Sequence, residues 1–201
     1  MRTLIAFIIA LTPSLLLGAD LEVSKLACEH QTNPSALHAE VPRLSWHLKS
    51  TKKGKAQRAY RIIASSSPDA LERDEGDLWD TGKQPSLENH LIFYKGAEKL
   101  VSRQRVFWKV QVWDENDEPS PWSDVAHFTV GMLGQEDWEA DWISYKDNEP
   151  LHRNPGQIFL PAPRYYRKAF DAGKKVARAQ LYSSSLGAMD LYLNGKKIGD
   201  S

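Results

Sequence analysis

Hydrophobic and polar residues alternate with period two along most of the chain. In residues 44–48 (LSWHL), Leu44, Trp46 and Leu48 share one side, while Ser45 and His47 take the other. In 59–64 (AYRIIA), Tyr60, Ile62 and Ala64 line one face and Ala59, Arg61 and Ile63 the opposite one. In 106–113 (VFWKVQVW), Val106, Trp108, Val110 and Val112 alternate with Phe107, Lys109, Gln111 and Trp113. In 125–130 (VAHFTV), Ala126, Phe128 and Val130 alternate with His127 and Thr129. Successive strand side chains point to opposite faces, so each run predicts one buried and one wet face. That pattern fits antiparallel sheets packed face to face, not a parallel sheet buried on both sides.

One helical start stands out: Ser67 as cap, Pro68 at the first helical position, then residues 69–72, with Gly76 and Asp77 to break it. Dense turn signals separate the strands, at Lys53-Gly54, Thr81-Gly82, Lys95-Gly96 and residues 115–117 before Pro119. Roughly seven short strands at this spacing predict an immunoglobulin-like sandwich. A Cys-Trp-Cys core is missing, because the chain has one cysteine. A fibronectin type III-like variant, which needs no disulfide, fits, with Trp46, Tyr60 and Trp108 as core aromatics. The fold class is therefore all-β.

The alternation fades from Gly131 to Asp141, and four prolines (150, 155, 161 and 163) mark an extended stretch. Strand patterns resume at Arg164, and three or four strands are expected from there on. Asn194-Gly195 is the strongest hairpin signal, since both central residues of a type I′ turn need positive φ. The expected organisation is a leader at 1–19, a sandwich at 20–131, a linker at 132–163 and the beginning of a second, incomplete β-sandwich at 164–201. The leader reading rests on Arg2 followed by an apolar run of about 14 residues ending at Gly18-Ala19, too short to span a bilayer comfortably. It implies a secreted or periplasmic protein with no membrane contact after cleavage.

Composition narrows the function classes. The 201 residues carry 26 basic and 26 acidic side chains, so no nucleic-acid footprint is advertised. The six histidines (30, 38, 47, 90, 127 and 152) show no ligand spacing, and no metal or cofactor is expected. Residues 114–118 (DENDE) read as a polar turn rather than a calcium loop. Cys28 reads as a small buried apolar residue. Glu136, Asp137, Glu139 and Asp141 read as a solvated connector whose neighbours, Trp138 and Trp142, dock between domains. The outward aromatics Phe107 and Trp113 are the candidate substrate-binding residues, since a sugar ring can lie on an aromatic face. Phe93 and Tyr94 form another aromatic patch. The competing reading is that a neighbouring module covers Phe107 and Trp113. Alanine at Trp113 would then weaken stability between modules, not sugar affinity.

Several motifs occur in a telling order: PRLSW (42–46), QRAYRI (57–62), LWDTG (78–82), WKVQVWD (108–114) and DWEADWI (137–143). Together they resemble the N-terminal, non-catalytic region of bacterial α-L-rhamnosidases of glycoside hydrolase family 78. The later LYLNGKKIGD (191–200) resembles the start of that family's next module, a jelly-roll-like sandwich. The resemblance implies a multidomain enzyme that releases terminal α-L-rhamnose with inversion, using acidic residues on a downstream (α/α)6 barrel. Inversion needs two carboxylates about 6.5–9.5 Å apart. None of the matched motifs is catalytic, so no catalytic residue is assigned. The expected partners are the downstream catalytic domain of the same protein and a rhamnose-containing glycan. Two alternatives remain open: a stand-alone secreted carbohydrate-binding or adhesion sandwich, and an accessory region of another glycosidase family.

Overall fold

The computed structural model describes residues 20–145 and 163–199. The leader and nearly all of the Pro-rich stretch lie outside the described residues. The chain divides into two units, with the boundary between Trp142 and Ile143.

In the first unit, eight strands form two sheets. β1 (Glu22–Cys28), β2 (Arg43–Lys49) and β6 (Ile92–Phe93) make the smaller sheet, in the order β1-β2-β6. The larger sheet holds β3 (Ala59–Ser65), β4 (Trp79–Asp80), β5 (Gln84–Pro85), β7 (Arg105–Trp113) and β8 (Ala126–Thr129). Its order is β4-β3-β7-β8, with β5 also on β3, and every pairing between strands is antiparallel. The core is what the alternation predicted. Leu44, Trp46, Ile62, Ala64, Val106, Trp108, Val110, Val112 and Phe128 are all buried in one cluster. Trp46 meets Tyr60 edge to face at 5.3 Å.

β1 escapes a simple period-two reading because Lys25 takes φ 48° and the register shifts between Ser24 and Ala27. The bulge returns Leu26 and Cys28 to the core side. Cys28 is fully buried, and burial followed by the neighbouring Glu29 charge pushes its thiol up to about 12.

The larger sheet's outer face is not uniformly wet. Helix α1 (Pro68–Glu72), capped by Ser67 Oγ accepting from Asp69 N at 3.2 Å, lays Leu71 against it. Ile63 and Leu71 are fully buried there, and Lys109 is only 7% exposed. The Lys109 ammonium donates to Leu71 O and to Asp74 Oδ1, each at 2.5 Å. The helix ends before Gly76: Asp74, at φ 58°, makes the reversal.

In the second unit, β9 (Leu191–Leu193) and β10 (Lys196–Ile198) form the expected hairpin. Asn194 (φ 51°) and Gly195 (φ 78°) supply its turn. The further strands expected from Arg164 onward are not formed. Residues 163–185 make no ladder, and Tyr165, Phe170 and Leu181 are exposed. A strand persists only with a ladder partner and a layer over its apolar face, and among the described residues this stretch pairs in no ladder.

Candidate functional site

The motif residues turn inward and tie the sandwich together. Trp46 Nε1 donates to Gln57 Oε1 at 3.1 Å, and Gln57 Nε2 donates to the carbonyls of Ser86 and Glu88 at 3.1 and 2.8 Å. A buried glutamine thereby fastens an irregular loop to the core tryptophan. Arg61 forks onto Asp80 at 3.0 and 2.7 Å, linking β3 to β4. That fork outweighs the opposing effect of burial and holds the Asp80 carboxyl below its usual range. Thr81 Oγ1 accepts from Ile62 N at 2.9 Å. Trp79 meets Tyr94 edge to face at 5.1 Å.

Asp114 closes the turn after β7. Its fully buried carboxylate receives Lys55 Nζ at 2.7 Å and the amides of Asn116 and Glu118 at 2.8 and 3.1 Å. Burial pushes this carboxyl up, but Lys55 and the two amides outweigh it, and the net displacement is downward. The DENDE segment is thus a polar turn built around one carboxylate. Among the described residues, no three His, Cys, Asp or Glu side chains converge as metal ligands.

The outer face of the larger sheet carries the candidate sugar-binding aromatics. Phe107 is half-buried, with the His127 ring 5.9 Å away and the Arg105 guanidinium carbon 4.6 Å from its centre. Trp113 is half-buried beneath Lys83 Nζ at 4.9 Å. The two lie six positions apart along the strand, about 20 Å at 3.3 Å per residue. They cannot hold one sugar ring between them. Phe93 and Tyr94 also part: Phe93 is exposed, whereas Tyr94 is buried against Phe128.

Trp122 also belongs to this face, although strand alternation does not mark it. Lys109 Nζ stands 4.8 Å and Arg61 Cζ 5.6 Å from its ring centre. Residues 119–124 run beside β7 with serine side chains completing the ladder. Ser120 Oγ accepts from Val112 N at 3.1 Å and Ser123 Oγ from Val110 N at 3.0 Å. A Pro-Trp between two such serines is the signal that could have marked Trp122. The same segment lines an open groove of about 860 Å³ with residues 20–23 and 48–51. There Asp20 accepts the Thr51 hydroxyl at 3.1 Å and lies 3.8 Å from Lys52.

The two cations over Trp122 are each paired with an acid, Arg61 with Asp80 and Lys109 with Asp74, chemistry that stiffens a sheet. The comparisons with known proteins bear on what such a sheet serves. A family model described as "Rha78A-like, N-terminal immunoglobulin domain" matches residues 23–134. The chain belongs to this family. The Rha78A-like domain has relatives named alpha-L-rhamnosidase. One from Alteromonas sp. (strain LOR) is 42% identical over 167 residues, 83% of this chain and 18% of its own length. One from Formosa agariphila is 38% identical over 168 residues, covering 84% of this chain and again 18% of the relative. The chain spans about a fifth of the length of these curated relatives. Among solved structures, the α-L-rhamnosidase from Dictyoglumus thermophilum superposes with a TM-score of 0.60 at 40% identity. That match covers 62% of this chain and 14% of the larger one. The Rha78A-like domain is thus the N-terminal Ig-like domain of such proteins, and the motifs behind the resemblance are its internal ties.

Proposed function

We propose that this chain is the N-terminal accessory region of an exported α-L-rhamnosidase. It braces and positions a downstream catalytic domain that removes terminal α-L-rhamnose, and it does no bond-breaking itself. One observation carries the reading: four carboxylates in or beside the motifs are engaged within the fold. Asp80 is bonded to Arg61, Asp114 to Lys55, Asp77 to Ser66 and Asp137 to Ser102. An inverting pair must instead face a sugar and a water across an open pocket. The names of the longer relatives support that substrate class. The leader pattern at 1–19 supports export, and among the described residues no helix is long and apolar enough to cross a membrane. Residues 164–201 would open the next β-sandwich of the longer protein.

The test is hydrolysis of a rhamnosyl chromogenic substrate by the purified 201-residue chain. No turnover above buffer is expected, and measurable turnover overturns the reading. Glycan-array binding by the same chain separates bracing from sugar capture. Specific retention of rhamnosylated glycans, lost on Trp113→Ala or Phe107→Ala, would favour a carbohydrate-binding module.

A further inference from the structure

Beyond β8 the chain does not leave the sandwich at once. Gly131 N donates to Leu37 O at 2.7 Å, and His38 Nδ1 lies 2.8 Å from Met132 O. Leu133 packs on the core, and its N–H donates to Ser102 Oγ at 2.8 Å. Ser102 in turn donates its hydroxyl proton to Asp137 Oδ2, which also accepts Gly134 N at 2.9 Å. A short 3-10 turn (Gln135–Asp137) fills the space between. Arg103 then forks outward, giving Nη2 to Asp137 O and Nη1 to Glu139 Oε1, both at 2.6 Å. Arg103 holds φ 68°, a left-handed conformation disfavoured for an arginine. Its own N–H is fixed by Val130 O at 3.1 Å. The Ser102 bond, and then the Gly134 amide, hold the Asp137 carboxyl below its usual range.

We propose that residues 131–139 are a rigid strut rather than a flexible linker, and that Ser102 and Arg103 are the clamp that fixes the direction in which the chain leaves the sandwich. Two adjacent residues of one loop seize both ends of the acidic segment. Ser102 takes the Leu133 amide and the Asp137 carboxylate, and Arg103 takes the Asp137 carbonyl and the Glu139 carboxylate. A strained backbone kept at the point of attachment fits a positional role. The proposal rests on the bracing reading for its purpose, since a brace that swivels at its exit could not orient a downstream domain. Ser102 and Arg103 are positioning residues.

Hydrogen exchange on the full 201-residue chain tests it. The amides of Leu133 and Gly134 should be protected in the wild type, about tenfold more than in Ser102→Ala. Ser102→Thr, which keeps the hydroxyl, should restore the protection, and the β3 and β7 amides should be unchanged in both. Equal exchange of the two amides in wild type and Ser102→Ala overturns the clamp. If Ser102→Ala also speeds the β7 amides, Asp137→Ala decides. Acceleration confined to 132–139 supports the strut, and no acceleration refutes it. Turnover or sugar binding by the chain would defeat the bracing reading without altering these exchange rates, so the two can fail separately.

Discussion

Two buried tryptophans show how the same residue type is held in different ways. The Trp46 indole N–H has Gln57 as its acceptor, whereas Trp108 Nε1 is buried with no hydrogen-bond partner among the described residues. Trp46→Phe strands the Gln57 carbonyl oxygen in the core, while Trp108→Phe removes a donor that is already unpaired. Both lose ring volume, so the contrast isolates the hydrogen bond. Trp46→Phe should be the more destabilising by about 1–2 kcal/mol, read from urea midpoints at equal m-value. Asp114 gives the acid limb of the stability curve. Its folded carboxyl lies below the unfolded value of about 3.9, so its contribution is complete above that value. It is lost as the pH falls through the depressed folded value. Asp114→Asn should cost about 2 kcal/mol at neutral pH, since Lys55 keeps only Glu115. The variant's stability should also fall less steeply than the wild type's below about pH 4, as a denaturation series across pH 2–7 would record.

At the scale of the element, alternation made β2, β3, β7 and β8 legible, because each strand has a clean buried face. β1 was hidden by its bulge at Lys25, and β4, β5 and β6 by their length of two residues each. No local pattern could reveal the stacking on Trp122, since its partners Arg61 and Lys109 come from other strands. The clamp was illegible for the same reason. Ser102 and Asp137 are remote in sequence, and DWEAD read alone is only a solvated charge run. The buried Lys109 defied the period-two pattern because a five-residue helix covers it, something strand periodicity does not encode. Gly76 makes that cover possible. A Cβ there would collide with the Trp79 carbonyl oxygen and stand 3.2 Å from Ile63 Cβ. Backbone cannot yield as a flexible side chain does, so Gly76→Ala should cost about 1–3 kcal/mol. Thermal melts of Gly76→Ala should show the loss, and an unchanged Tm would mean that α1 does not pack on the sheet as described.

At the scale of the whole molecule, the two units stand on different energetic footing. The sandwich buries a continuous cluster from Leu21 to Val130. Among its described residues the second unit offers only a hairpin of three-residue strands, and Tyr165, Phe170, Leu186 and Tyr192 are exposed. An isolated two-stranded hairpin is marginal in water, and its unpaired edges template association. Heat should therefore melt one cooperative unit, the sandwich, while residues beyond the strut contribute no transition of their own. A chain ending at Trp142 retains Asp137, Glu139 and every tie of the first unit described above. It should melt within about 2 °C of the 201-residue chain, because a difference of 1 kcal/mol would already shift a domain of this size by roughly 4 °C. It should also stay monomeric at concentrations where the longer chain associates, as light scattering would show. Limited proteolysis of the longer chain should converge on the same core. A fall of about 5 °C or more in the shorter chain would mean that the second unit stabilises the first. Cooperative protection of Tyr165 to Leu186 would mean that it has a core of its own.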